Sequence, residues 1–171
     1  MTGRASSAVL SLGSNLGDRE STIRAAIDDL RALPGVDVDA VSGLVETPAL
    51  KPAGVDASAP AYLNAAVTVT TTLTPLQLLD AVNAIESAHG RVREERWGDR
   101  TLDIDIVTMD AIVQATETLT LPHPRASERV FVLVPWLEID PDAELPGVGR
   151  VDHIVAGMDA ALSRYPAEGP S

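Results

Sequence analysis

Arg91–Asp105 reads RVREERWGDRTLDID, and the run from Thr101 to Met109 that starts inside it reads as a β-strand. Period-two alternation sends Leu102, Ile104 and Ile106 to one face and Asp103 and Asp105 to the other. Carboxylates at i and i+2 on a strand lie roughly 6 to 7 Å apart. In a partly buried place, two anions at that spacing call for a cation between them or a shared proton. Hard oxygen donors point to Mg²⁺. Ahead of them come Arg91, Arg93, Arg96 and Arg100, interrupted by Trp97-Gly98, and forked guanidiniums match phosphate oxygens. The stretch predicts a polyphosphate gripped by arginines at one end and by metal at the other. The competing reading is the wet face of a sheet behind a solvated basic loop; loop and strand together favour the first.

Working outward, the segment just before the arginines is helical. Thr74-Pro75-Leu76-Gln77 carries a capping-box pattern with proline at the first helical position. The helix predicted there runs to about His89 with Leu78, Val82 and Ile85 inward, and Gly90 stops it. Glu86 lies in its last turn, beside the arginine loop. Further back, Tyr62 to Leu73 reads as a strand with Tyr62 and Asn64 on one face. Thr47 to Ala61 has no periodicity and reads as a long binding loop. Val36 to Glu46 predicts a strand, Asp18 to Leu33 a helix, and Ser7 to Leu12 a strand ending at Gly13. Downstream, Ile112 to Thr120 is predicted to pair with the Asp103 strand as a hairpin. Prolines on both sides of His123 stiffen its backbone. Ser127 to Leu137 reads as a helix limited by Pro135, and a last helix is predicted over roughly Val151 to Tyr165.

Composition narrows the function. At 171 residues the chain reads as one domain over residues 1–171, with residues 1–7 and 166–171 as flexible ends. A net charge of -12 argues against a nonspecific nucleic-acid binder or a basic membrane-surface protein. Positive charge is instead local: between Ala32 and Gly90 only Lys51 is basic, whereas Arg91, Arg93, Arg96, Arg100, Arg125 and Arg129 follow closely. One basic pocket on an acidic protein suits a small anionic ligand. The absence of cysteine excludes disulfides, thiolate metal sites and a Cys nucleophile. No apolar run has the length of a membrane span or signal peptide, so a cytoplasmic protein is expected; a monomer acting on small molecules is expected as well.

Five segments, GSNLGD (Gly13 to Asp18), YLNAAV (Tyr62 to Val67), GRVR (Gly90 to Arg93), RWGDRTLDIDI (Arg96 to Ile106) and LPHPR (Leu121 to Arg125), together resemble the 6-hydroxymethyl-7,8-dihydropterin pyrophosphokinase family. The resemblance covers about Ala8 to Pro146. It implies an α+β, ferredoxin-like fold with a mainly antiparallel sheet and helices on both faces. It also implies transfer of pyrophosphate from ATP, as co-substrate, to 6-hydroxymethyl-7,8-dihydropterin in folate biosynthesis. By this resemblance Asp103 and Asp105 hold two Mg²⁺ ions. Asn83, Glu86, Arg91, Arg93, Trp97, Arg100, Ile106, Thr120, His123 and Arg129 line the nucleotide side, with Arg91, Arg93 and Arg100 also catalytic. Tyr62 and Phe131 sandwich the pterin, with Asn64, Thr47, Pro48, Leu50 and Trp97 around it. A magnesium-dependent phosphohydrolase using the same carboxylates is the alternative. The chain departs from the family at Asp99, where a proline is usual, and at Asn83, Pro124 and Thr118.

Overall fold

Alternating apolar stretches build a central sheet in the computed structural model, which describes residues 5–14, 19–47, 49–51, 54–56, 62–89, 102–158 and 163–165. In chain order the first elements are β1 (Ser6–Ser14), α1 (Arg19–Ala32), β2 (Val36–Val41), β3 (Leu44–Thr47), β4 (Ala49–Lys51), β5 (Gly54–Asp56), β6 (Tyr62–Thr71) and α2 (Pro75–Ala88). There follow β7 (Asp103–Met109), β8 (Gln114–Ala115), β9 (Thr120–Leu121), a 3-10 turn (Ala126–Glu128), α3 (Val130–Ile139), β10 (Glu144–Leu145), β11 (Gly149–Arg150), α4 (Val151–Ala156) and β12 (Ser163–Tyr165). The main sheet runs β12-β3-β6-β1-β7, with β2 beside β6 beyond the end of β3, and its pairs are antiparallel. Counting β2 and β3 as one interrupted strand, the chain is a βαββαβ unit with spatial order 2-3-1-4. That is the ferredoxin-like topology.

Each sheet face has its own core. Leu10, Leu12, Leu63, Val67, Ile104 and Ile106 pack on one side against Ile23, Ile27 and Leu30 of α1 and Leu78 and Val82 of α2. On the other side Val9, Ala66 and Val107 pack beneath Val132, Leu133 and Trp136 of α3 and Val151 of α4. Helices therefore cover both faces, as expected. Helix α2 starts as its sequence predicts: the Thr74 hydroxyl accepts from the Gln77 N–H at 3.2 Å and the Gln77 side chain accepts from the Thr74 N–H at 2.9 Å. The His89 ring, at the end of α2, meets Asp29 of α1 at 2.6 Å and ties the two helices together.

Several expectations are corrected. The strand expected over Val36 to Glu46 breaks at Ser42-Gly43, where the Ser42 hydroxyl accepts from the Ala66 N–H and donates to the Gly43 carbonyl, both at 2.8 Å. The side chain thus supplies a ladder bond that the kinked backbone cannot. The first strand does not stop at Gly13 but pairs through Ser14. The segment after β7 does not pair with it; β8 and β9 form their own small hairpin. Within the expected loop after Thr47, β4 and β5 pair as a hairpin. Helix α3 runs through Pro135 to Ile139, since four of its residues are buried and packing outweighs the roughly 3 kcal/mol penalty of an internal proline. The last predicted helix ends at Ala156, and Ser163–Tyr165 returns as a strand on the free edge of β3. No helix among the described residues is long and apolar enough to cross a membrane.

Candidate active site

Helix α3 covers only part of its sheet face, and the uncovered part is the site. On β6 that face begins with Tyr62, Asn64 and Ala66; Ala66 lies under α3, whereas Tyr62 and Asn64 line an open cleft. Pairing aligns two rows across the adjacent strands β6, β1 and β7. Asn64, Gly13 and Asp103 form one, and Ala66, Ser11 and Asp105 the next. A Cβ on residue 13 would lie 2.7 Å from Asn64 Oδ1, so glycine is what lets the buried Asn64 amide lie across β1.

Two clefts meet at the aspartates. The first, of about 390 Å³, is lined by Ser11, Gly13, Tyr62, Asn64, Asp103, Asp105, Arg125, Glu128, Arg129 and Phe131. The second, of about 330 Å³, is lined by Leu79, Asn83, Glu86, Asp103, Ile104, Asp105, Ile106, Thr118, Leu119, Thr120, His123 and Pro124. Both volumes suit small ligands, and among the described residues only the carboxylate pair borders both. Arg129 stands at this junction, with its guanidinium 3.7 Å from Asp105 Oδ2 and 5.7 Å from the centre of the Phe131 ring.

Strand β7 lies at the edge of the sheet, so groups on its outer side need partners from elsewhere. Glu86, 5% exposed, reaches from the last turn of α2 and accepts the Ile104 N–H at 2.8 Å, between the two aspartates. Further along, the Val107 carbonyl accepts the His123 N–H at 2.8 Å. A bulge supports this arrangement: Val9 and Leu10 pair with Thr108 and Ile106, which leaves Val107 as an extra residue. Alternation keeps Val107 on the face of the two carboxylates, where it enters the core under α3, and beyond the bulge Met109 joins the opposite core.

His123 Nδ1 accepts the Arg125 backbone N–H at 3.2 Å, so the neutral ring carries its proton on Nε2 and offers a donor. Burial lowers the pKa of His123 below its ordinary value; Asp105 opposes that shift, while Arg129 and Arg125 add to it. The ring therefore enters the site as a neutral donor at neutral pH.

The donor set fits magnesium. Among the described residues no group of three or more His, Cys, Asp or Glu converges. Two half-buried carboxylates between two clefts suit an ion that takes one or two protein oxygens and completes its shell from phosphates and water.

Of the residues named from sequence, Asp103, Asp105, Tyr62, Asn64, Arg129 and Phe131 line the first cleft and Asn83, Glu86, Ile106, Thr120 and His123 line the second with the same aspartates. Arg91, Arg93, Arg96, Trp97, Asp99, Arg100 and Pro48 lie outside the described residues, and Thr47 and Leu50 are described by backbone only. Sequence reasoning missed Ser11, Gly13 and Glu128, and placed Arg125 in the basic cluster without giving it a role. The alternation of Leu10 and Leu12 with Ser11 and Gly13 was a usable signal for the first two.

Fold and site together define a class: a ferredoxin-like α+β protein in which two clefts share one acidic pair. A model of the 7,8-dihydro-6-hydroxymethylpterin-pyrophosphokinase (HPPK) family matches residues 9–141, and the chain belongs to that family. It is 46% identical over 140 residues, 82% of this chain and 86% of the other, to the 2-amino-4-hydroxy-6-hydroxymethyldihydropteridine pyrophosphokinase of Methylorubrum extorquens. The proteins of that name from Bacillus subtilis and Mycobacterium leprae are 45% identical over 132 residues (77% of each chain) and 42% identical over 165 residues (88% of this chain and 82% of the other), respectively. Among solved structures, an HPPK-DHPS in complex with substrates superposes with a TM-score of 0.70 at 13% identity, covering 94% of this chain and 47% of that one. A Plasmodium falciparum HPPK-DHPS A437G with STZ-DHP gives 0.69 at 14% identity, covering 90% and 45%. These two likenesses concern the fold, and this chain spans just under half of each of those longer chains.

Proposed function

We propose that the protein transfers the β,γ-diphosphate of ATP to the hydroxymethyl oxygen of 6-hydroxymethyl-7,8-dihydropterin, releasing AMP. The observation that supports this most is the meeting of two differently lined clefts at Asp103 and Asp105. An aromatic-walled cleft with a buried amide suits a flat heterocycle, with Tyr62 and Phe131 as plates and Asn64 reading its edge. The other cleft, with Asn83, Thr120 and the His123 Nε2 donor, suits the nucleotide. Arg91, Arg93, Arg100 and Trp97 would close over the polyphosphate, and Thr47, Pro48 and Leu50 would border the pterin.

The chemistry asks for alignment and charge balance more than covalent help. The acceptor oxygen forms its bond to the β-phosphorus and gives up its proton to water as the bond to the α,β-bridging oxygen breaks, and that oxygen leaves with the electron pair on AMP. Magnesium held by Asp103 and Asp105 would neutralise phosphate charge and acidify the acceptor hydroxyl, so no side chain is assigned as general base. Arg129, already beside Asp105, balances charge at the junction, and arginines from the 91–100 segment stabilise the leaving oxygen.

Nucleotide product analysis tests this reading. The protein mixed with MgATP should give AMP only when the pterin is present. ADP or inorganic phosphate formed regardless of pterin would replace transfer with hydrolysis at the same carboxylates.

A further inference from the structure

The turn from His123 to Arg129 straddles the partition between the clefts. The His123 carbonyl accepts the Ala126 N–H at 3.1 Å, the Arg125 carbonyl accepts the Glu128 N–H at 3.0 Å and the Ala126 carbonyl accepts the Arg129 N–H at 3.1 Å. Ala126 is buried beneath it in the core under α3. His123 lines the nucleotide cleft, whereas Arg125, two residues on, lines the aromatic cleft with Arg129 and Glu128. Arg129 is engaged by Asp105 and Phe131. Arg125 is exposed and makes no ion pair among the described residues. The transfer reading leaves this cation without a task in the substrate complex, because the acceptor pterin is a neutral alcohol.

We infer that Arg125 is the binding residue for the diphosphate once it belongs to the product. The inference rests on the transfer reading and deepens it. During the reaction the diphosphate passes from the cleft that His123 lines to the ligand in the cleft that Arg125 lines. The pterin then acquires about two to three negative charges at neutral pH, and a forked guanidinium at the cleft wall gains a partner it lacked before. Glu128, on the same turn and lining the same cleft, opposes that charge and keeps the product from being held too tightly. Arg125 thereby discriminates between the two pterin forms by charge alone.

Equilibrium binding of the pterin alcohol and of the pterin diphosphate to wild-type, Arg125→Met, Arg125→Lys and Glu128→Gln proteins tests the inference. Arg125→Met keeps the apolar stem and removes the charge. It should weaken diphosphate binding about five- to tenfold and leave alcohol binding within about twofold, with a shallower salt dependence than wild type. Arg125→Lys should recover part of the loss, and Glu128→Gln should tighten the diphosphate. Unchanged diphosphate affinity in Arg125→Met, or equal loss for both ligands, overturns the inference while the transfer reading stands. Failure of the wild-type protein to bind either pterin form overturns both.

Discussion

Replacing Glu86 by alanine perturbs the strand that carries both aspartates without touching either. Glu86 is 5% exposed and its Oε2 lies 2.8 Å from the Ile104 nitrogen. A buried N–H that loses its acceptor costs about 1–3 kcal/mol, and a bond to a charged acceptor is worth about 1.5–3 kcal/mol. The expected destabilisation is therefore about 2 kcal/mol, a factor of roughly thirty in the folded-to-unfolded ratio. For a chain of this size it corresponds to a fall in Tm of roughly 4–8 °C. Glu86→Gln retains a carbonyl oxygen at the same reach and should lose less than half as much. Urea and thermal unfolding measure the stability, and amide hydrogen exchange at Ile104 locates the effect, since its N–H should exchange faster in the alanine variant than in wild type. Turnover should fall in the same order, Ala below Gln, because the spacing of the carboxylates depends on the backbone between them. An alanine variant that melts with wild type and keeps Ile104 protected would refute the claim that Glu86 anchors the edge of β7.

Other perturbations bear on single parts of the site. Gly13→Ala places a methyl 2.7 Å from Asn64 Oδ1 and must displace that amide, so steady-state kinetics should show a raised KM for the pterin with the KM for ATP little changed. Asp103→Ala should cut turnover by about 10³-fold or more, yet shift stability by less than about 1 kcal/mol because Asp103 is only half-buried on the cleft side of β7; near-normal turnover would refute the metal assignment. For His123, the folded ring resists protonation relative to the ordinary value of 6.5. Its contribution to stability is therefore complete above that value and declines as pH falls from there towards the lowered folded-state pKa. Urea midpoints between pH 7.5 and 5 should fall less steeply in His123→Gln than in wild type.

How much was legible depended on whether the signal was local. Thr74, Pro75 and Gln77 announce their cap within four residues, and the alternation from Leu102 to Ile106 places Asp103 and Asp105 on one face without knowledge of the partner strand. The bulge at Val107 was not legible, because it exists only in the register against Val9 and Leu10. Glu86 looks like any polar residue near a helix end until the edge of β7 is set against it. Pro135 suggested a stop by its own chemistry, and only the burial of its neighbours Val132, Leu133 and Trp136 explains why α3 continues. Ser163–Tyr165 carries too short a pattern to outweigh the helical reading before it, and its pairing with β3 is decided by an edge built more than a hundred residues earlier.

Diffraction from crystals grown with Mn²⁺, a non-hydrolysable ATP analogue and the pterin tests the central claim, that two clefts deliver two substrates to one carboxylate pair. The account predicts anomalous peaks within about 2.3 Å of carboxylate oxygens of Asp103 and Asp105, the pterin between Tyr62 and Phe131, and the nucleotide on the side of Asn83, Thr120 and His123. Manganese bound away from both aspartates, or the nucleotide seated between Tyr62 and Phe131, would contradict it.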